Sequence, residues 1–373
     1  MSELRVHNKM DYMLGFFVAL PFAYPAPPFY VFPFLFALFV MPRVVSQRIK
    51  IDILSLVILF LYSLSLVVSS VVVSYEMPGV SYTALLGSLV FVVLFVLAHY
   101  IRDLPSFFKG FMHGALVACA ITIGLFFFLG AYRHGLRVFY IPELRMWGEG
   151  LIPDWPNYIV FFYCCAALLL VFFKRKLSLQ LVVVLAAAMA TTSRLAVFCI
   201  MIVALLLCLN FSKRVWLMLA LSTVVLLFYG GFQISLDDQL LERMNKSSDR
   251  EGLFNGLLLL WLDRPLLGYG AISLDSVSDL DYRSFHNSYL EALVKGGIVG
   301  FTLFALFIVR GFFVVCKSDT PALEKSMLII IFAFFLVSSF FQNYLKHPHV
   351  IVLYSVIFYR LSSYYRVKVP AGY

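Results

Sequence analysis

Long apolar runs separated by short polar breaks fill most of the chain. Runs of helix length fall at roughly 12–24, 29–42, 52–73, 81–100, 110–131, 156–173, 178–192, 195–211, 215–232, 286–310, 324–343 and 348–365. A helix needs about 20 mostly apolar residues to cross a bilayer's hydrocarbon core. The first two runs are short and carry Pro21, Pro25, Pro27, Pro28 and Pro33, so they predict a tight helical hairpin. Together the runs predict an all-α integral membrane fold of about 12 transmembrane helices, with both termini on one side. Residues 1–373 read as one polytopic membrane domain, with no stretch between spans long enough for a separate soluble domain. The first run lacks a small-residue cleavage site and reads as a retained helix.

Two polar stretches, about 132–155 and about 233–285, are longer than connection requires. Long loops in compact helical proteins tend to carry function. Within the second lies the apolar segment 252–262, too short to span comfortably. Started near Ser248-Asp249 and stopped by Arg264-Pro265, it predicts an interfacial or re-entrant helix.

Composition excludes a soluble enzyme: 62% of residues are hydrophobic, 13% are charged, and mean hydropathy is +0.93. All six cysteines fall inside apolar runs, where a thiol acts as a small hydrophobe. The 39 Phe and 21 Tyr read mostly as lipid-facing bulk and interface belt.

Charge assigns the sides. With cytoplasmic termini, most of the 29 basic residues collect on inner segments, including Arg43, Arg102, Lys174, Arg175, Lys176, Arg310, Lys317, Lys325 and Arg360. The outer remainder is mostly arginine: Arg133, Arg137, Arg145, Arg194, Arg243, Arg250, Arg264 and Arg283, with Lys246, Lys295 and Lys346. Arginine's permanent, forked charge suits phosphate. An anionic ligand therefore accounts for outer arginines that run against the topology signal, and no nucleic acid is expected as partner.

Three short patterns carry the candidate chemistry. Thr191-Thr192-Ser193-Arg194 puts an arginine at the outer boundary between two spans. Ser247-Ser248-Asp249-Arg250 opens the short helix, which ends in Arg264-Pro265-Leu266-Leu267-Gly268-Tyr269-Gly270. His286-Asn287 then opens an apolar helix that runs into Gly296-Gly297-Ile298-Val299-Gly300. A titratable imidazole where a polar loop re-enters the membrane is suited to proton transfer.

In that order and spacing the patterns resemble the bacterial O-antigen ligase and O-antigen polymerase superfamily, over about residues 190–301. The resemblance implies a membrane glycosyltransferase of the GT-C type, with a large periplasmic loop over residues 233–285 containing short helices. It implies an undecaprenyl-diphosphate-linked glycan as donor at the periplasmic face of a bacterial inner membrane. The acceptor is a sugar of lipid A core for a ligase, or a second lipid-linked glycan for a polymerase. Residue by residue, Arg194 and Arg250 match the superfamily's diphosphate-binding arginines, and His286 its essential histidine. Asn287, Arg137, Arg145, Arg283 and Tyr269 are further candidates for substrate contact, and no metal or cofactor is expected. The Ser-Arg, Pro-x-x-Gly-Tyr-Gly and His-Asn pieces favour the ligase. Arg137 and Gly148 have a spacing noted in some polymerases.

Plainer readings stand beside these. His286 would also serve as a helix cap, Arg194 as a snorkelling boundary residue, and Arg250 as a partner of Asp249 or Glu251. Arg133, Arg137, Arg145 and Arg283 fit solvated loop charges equally well. His347 and His349 read as polar groups at the interface. Asp279-Leu280-Asp281 mimics a metal-binding pair but reads as a solvated acidic loop. A lipid or sugar flippase is the rival from another class. It would place charges at mid-membrane and show internal repeats, and neither is evident in the sequence.

Overall fold

A computed structural model describes residues 9–19, 27–46, 49, 51–75, 82–125, 156–190, 194–208, 248–271, 285, 287–341 and 347–362. The described residues form helices and connecting turns. In chain order these are α1 (Lys9–Ala19), α2 (Pro27–Ser46), α3 (Ile53–Ser74), α4 (Tyr82–Ala98), α5 (Leu104–Leu125), α6 (Pro156–Lys174), α7 (Leu179–Ala190), α8 (Arg194–Cys208), α9 (Ser248–Asp263), α10 (Ser288–Cys316), α11 (Ala322–Phe341) and α12 (Pro348–Ser355), the last continuing as a wider turn over Val356–Leu361. By length and composition, four stretches among the described residues suffice to cross a membrane: Ile53–Ser74, Leu104–Gly124, Ser288–Cys316 and Ala322–Phe340. Shorter apolar helices accompany them. The predicted run 215–232 and the predicted loop 132–155 lie outside the described residues.

The core is built around two helices that are apolar on every side, as buried helices must be. Residues 159–172 of α6 are buried on all faces, as is nearly all of 350–361. Around them, Phe95, Phe107, Phe108, Phe111, Phe161, Phe307, Phe334 and Phe335 are fully enclosed. Phenylalanines read from the sequence as lipid-facing bulk are, at these positions, packing edge-to-face inside the bundle, as with Phe335 against Phe161, ring centroids 5.1 Å apart. His347 and His349, expected as polar groups at the interface, are both buried against the bundle where α12 begins.

Small residues set the closest helix contacts. α1 lies along α5 with Gly15 against the Phe107 backbone and Gly110 against the Tyr12 backbone; a Cβ at Gly110 would meet the Tyr12 Cα at 3.0 Å. Such close approach lets backbones pack without a hydrophobic driving force between the helices.

Antiparallel packing of α3 and α10 gives the bundle two ends of different chemistry. At one end, Asp52, the N-cap of α3, accepts from Arg310 Nη2 at 2.7 Å and Nε at 3.0 Å. Arg43 pairs with the fully buried Asp11, whose other oxygen accepts from the Arg102 and Asp103 amides at 3.2 and 2.9 Å. Arg360 donates to the Ile101 carbonyl at 2.8 Å, and Arg175 pairs with Glu324. These are basic residues expected on the inner side, gathered together. At the opposite end the last turn of α3 meets the start of α10.

Candidate active site

The Pro-x-x-Gly-Tyr-Gly segment and the helix capped by Asn287 meet at a break in that helix. α10 runs from Ser288, but at Gly297 the backbone leaves helical geometry with φ 58° and ψ −162°. A break in a helix frees carbonyls before it and amides after it, and buried polar groups need partners. The segment following α9 supplies them. The Tyr269 and Gly270 amides donate to the Val294 and Lys295 carbonyls at 2.9 and 2.7 Å, and the Ile298 and Val299 amides donate to Pro265 and Leu266 at 2.8 and 3.3 Å. The Pro-x-x-Gly-Tyr-Gly segment is thus hydrogen-bonded into the break on both sides.

Glycine is required for that fit. Gly268 has φ +68° and Gly297 φ +58°, values that side chains disfavour. A Cβ on Gly297 would run into the Leu266 carbonyl and come within 2.6 Å of the Leu267 nitrogen. One on Gly268 would press on the Val294 carbonyl, 2.7 Å from the Lys295 carbonyl carbon. The third wall is α3, where Ser69 donates to the Leu267 carbonyl and Ser70 Oγ accepts from the Ala271 amide at 2.7 Å. The sequence reading missed these two serines. Their signal was present as a run of hydroxyls (Ser63, Ser65, Ser69, Ser70) within an otherwise apolar span.

α9 packs on the same junction. A satellite cluster of Val73, Leu253, Leu257, Tyr269, Phe285 and Val294 joins the end of α3, the middle of α9, the loop and the first turns of α10. Leu253 and Leu257 lie one and two turns beyond Arg250, and Phe285 immediately precedes His286. The segments carrying two of the three principal candidates therefore meet in one cluster. α9 ends as the sequence predicted, with Trp261 Nε1 donating to Pro265 at 3.2 Å and the Gly268 amide to Arg264 at 3.0 Å.

Arg194 opens α8, which packs on α6, α7 and α11, and α11 in turn packs on α10. The side chains of Arg194 and Arg250 lie outside the described residues, as do His286, Arg137, Arg145, Arg283 and the acidic positions Asp279 and Asp281.

Asn287 and Tyr269 are described in full. Asn287 is the N-cap of α10, its Oδ1 accepting from the Tyr289 and Leu290 amides at 2.8 and 3.0 Å. The capping role considered for His286 thus belongs to its neighbour. Tyr269 is buried and donates to Asp263 Oδ2 at 2.6 Å, with the Arg264 guanidinium 5.2 Å above its ring. Burial, reinforced by the Asp263 carboxylate, pushes the phenol up to about 12. The hydroxyl stays a neutral donor, tied to the loop's own framework.

Residues 179–305, from α7 to the middle of α10, match a family model described as O-antigen ligase. The match supports the resemblance of this stretch to the O-antigen ligase/polymerase superfamily. The stretch contains every pattern described above, from Arg194 through the glycine break. A protein of Haemophilus influenzae (strain ATCC 51907 / DSM 11121 / KW20 / Rd), described as an uncharacterized protein, is 28% identical over 127 residues. That similarity covers 29% of this chain and 32% of the relative, so the match spans about a third of the relative's length. The docked loop and broken helix lie at the end of the bundle opposite the Asp52–Arg310 pair.

Proposed function

We propose that the chain is an O-antigen ligase, a metal-independent, inverting glycosyltransferase of the GT-C type. It transfers a preassembled glycan from undecaprenyl diphosphate to a sugar hydroxyl of lipid A core, at the periplasmic face of a bacterial inner membrane. About twelve crossings hold the site, the termini are cytoplasmic, and the 233–285 loop roofs it. The observation that supports the reading is the cluster around Phe285, which packs the helix opened by Arg250 against the residue preceding His286. The family match over the segment containing Arg194, Arg250 and His286 supports it independently. The gathering of Arg43, Arg102, Arg175, Arg310 and Arg360 at the far end fits the positive-inside rule if that end is cytoplasmic.

The chemistry follows from the residue types. His286, as neutral imidazole, takes the proton of the acceptor hydroxyl while its oxygen attacks the anomeric carbon. The bond from that carbon to the phosphate oxygen breaks, and its electron pair leaves on the lipid diphosphate. Arg194 and Arg250 stabilise the charge that develops there, a task in which one donor is worth roughly 3 kcal/mol, or about a hundredfold in rate. Backside attack inverts the anomeric configuration. Fixed guanidinium groups supply the positive charge that a metal would otherwise bring. Arg137, Arg145 and Arg283 are assigned to steering of the anionic donor.

The test is reconstitution in nanodiscs with undecaprenyl-diphosphate-linked glycan and lipid A core. Transfer to the core with an inverted linkage, resistant to EDTA and abolished by H286A, is the expected result. Extension of lipid-linked glycan without the core acceptor would make the enzyme a polymerase, the reading that the Arg137–Gly148 spacing favours. Movement of the donor across the bilayer without transfer would make it a flippase, and an active H286A would remove the base.

A further inference from the structure

Beyond the residues assigned to the reaction, α10 contains a half-buried ion pair in its first two turns. Lys295 Nζ lies 2.7 Å from Glu291 Oε1, and the two side chains are only 17% and 9% exposed. An exposed pair at this spacing stabilises a helix slightly, and burying one carries a desolvation cost that apolar residues would avoid. The geometry gives the pair another task. Lys295 Nζ also stands 5.1 Å from the centroid of the Phe285 ring, a cation over an aromatic face. Phe285 itself belongs to the buried apolar cluster of Val73, Leu253, Leu257, Tyr269 and Val294. The Lys295 carbonyl accepts the Gly270 amide at 2.7 Å, so the lysine backbone is fixed by the docked loop as well. On the far side of His286, Asn287 is fixed by its cap.

We propose that Glu291 and Lys295 are positioning residues: Glu291 aims the Lys295 ammonium onto Phe285, and this hold, with the Asn287 cap, sets the backbone that presents His286. The proposal rests on the reading of His286 as the base. The pair does not touch the reacting atoms, so its effect belongs in kcat and not in donor binding.

The experiment uses the full chain in nanodiscs, with K295M, K295R and the exchanged double variant E291K/K295E. Glycan transfer, the thermal midpoint and amide hydrogen exchange over residues 285–290 are measured. A misplacement of about 1 Å costs on the order of a hundredfold in rate, so K295M is expected to lower kcat by about ten- to a hundredfold. Its KM for the donor should stay within about twofold, because ground-state binding is untouched. K295R, which keeps a cation able to pair and to stack, should recover most of the rate. The exchanged variant keeps an ion pair but places a carboxylate against the ring, and it should not recover. A pair serving only helix stability would be restored by the exchange, so recovery there overturns the proposal, as does full kcat in K295M. Amide exchange decides the matter apart from the reaction. Faster exchange over 285–290 in K295M supports the positioning role even if the wild-type protein transfers no glycan, a result that would overturn only the functional reading. Unchanged exchange overturns the positioning role whatever the activity.

Discussion

Replacing Gly297 by alanine is the most direct perturbation of the junction. Its φ of 58° with ψ −162° lies in a region essentially reserved for glycine, where another residue costs about 1–3 kcal/mol. The added methyl group also meets backbone, not a side chain that could turn aside: the Leu266 carbonyl and, at 2.6 Å, the Leu267 nitrogen. The loop must then retreat, which releases the bonds from Ile298 to Pro265 and from Val299 to Leu266. At about 1 kcal/mol net for each bond, the docking weakens by roughly 3–5 kcal/mol. Every 1.4 kcal/mol is about a tenfold change in an opening equilibrium. Amide exchange of residues 265–271 and 298–299 in nanodiscs should therefore accelerate by at least about a hundredfold in G297A. Gly252 provides the control. It lies inside α9, and a Cβ there would have nothing within 4 Å, so alanine should stabilise the helix by about 0.5–1 kcal/mol. Exchange in G297A that matches the wild type would refute the claim that the loop is held in the break by backbone contact.

Three further outcomes follow from the same geometry. N287A removes the acceptor for two α10 amides and should lower stability by about 1 kcal/mol, whereas N287D should keep most of it; thermal unfolding in nanodiscs separates the two. Y269F deletes the bond to Asp263 while leaving the ring in its cluster, so a loss of about 1 kcal/mol with glycan transfer retained is expected; a large loss of transfer would mean the hydroxyl touches substrate. At the other end, burial pushes the Asp52 carboxyl up, but the Arg310 fork and the Ser55 hydroxyl and amide outweigh it and hold the group below its ordinary value of 3.8. A depressed carboxylate contributes stability that is present above the unfolded value and lost as pH falls through the folded one. The thermal midpoint should therefore fall on acidification below about pH 4, and D52N should be less stable at neutral pH with a flatter acid limb.

Much of this was legible in the sequence, for identifiable reasons. Apolar periodicity located the helices because a segment in lipid must satisfy its own backbone. The stop after Trp261 was readable because Arg264-Pro265 cannot continue a helix, and the glycines because positive φ and close backbone approach leave few other residues. Tertiary partners were not readable. Nothing in the order of residues said that Ser69 and Ser70 would bind a loop two hundred positions away, or that Lys295 would cover Phe285. The burial of the 350–361 segment on nearly every face was equally hidden, as was that of His347 and His349 beside it.

The pattern over residues 190–301 contains two kinds of residue. The glycines at 268, 270 and 297 and the cap at 287 act on backbone: each lets one strand of chain approach another or closes a helix end. None of them supplies a charge or a proton. The arginines at 194 and 250 and the histidine at 286 each belong to a residue type suited to phosphate or proton chemistry. Preorganised catalysis needs its groups held by rigid neighbours. A loop bonded into a broken helix, against a serine-bearing span, provides such neighbours for Phe285 and Asn287. This predicts that variants of the glycines should lower stability and transfer together, whereas R250A should lower transfer about a hundredfold and H286A abolish it, each leaving the thermal midpoint within a few degrees. Arginine and histidine variants that unfold the protein as readily as G297A would put those residues in the framework and leave the chemistry without its carriers.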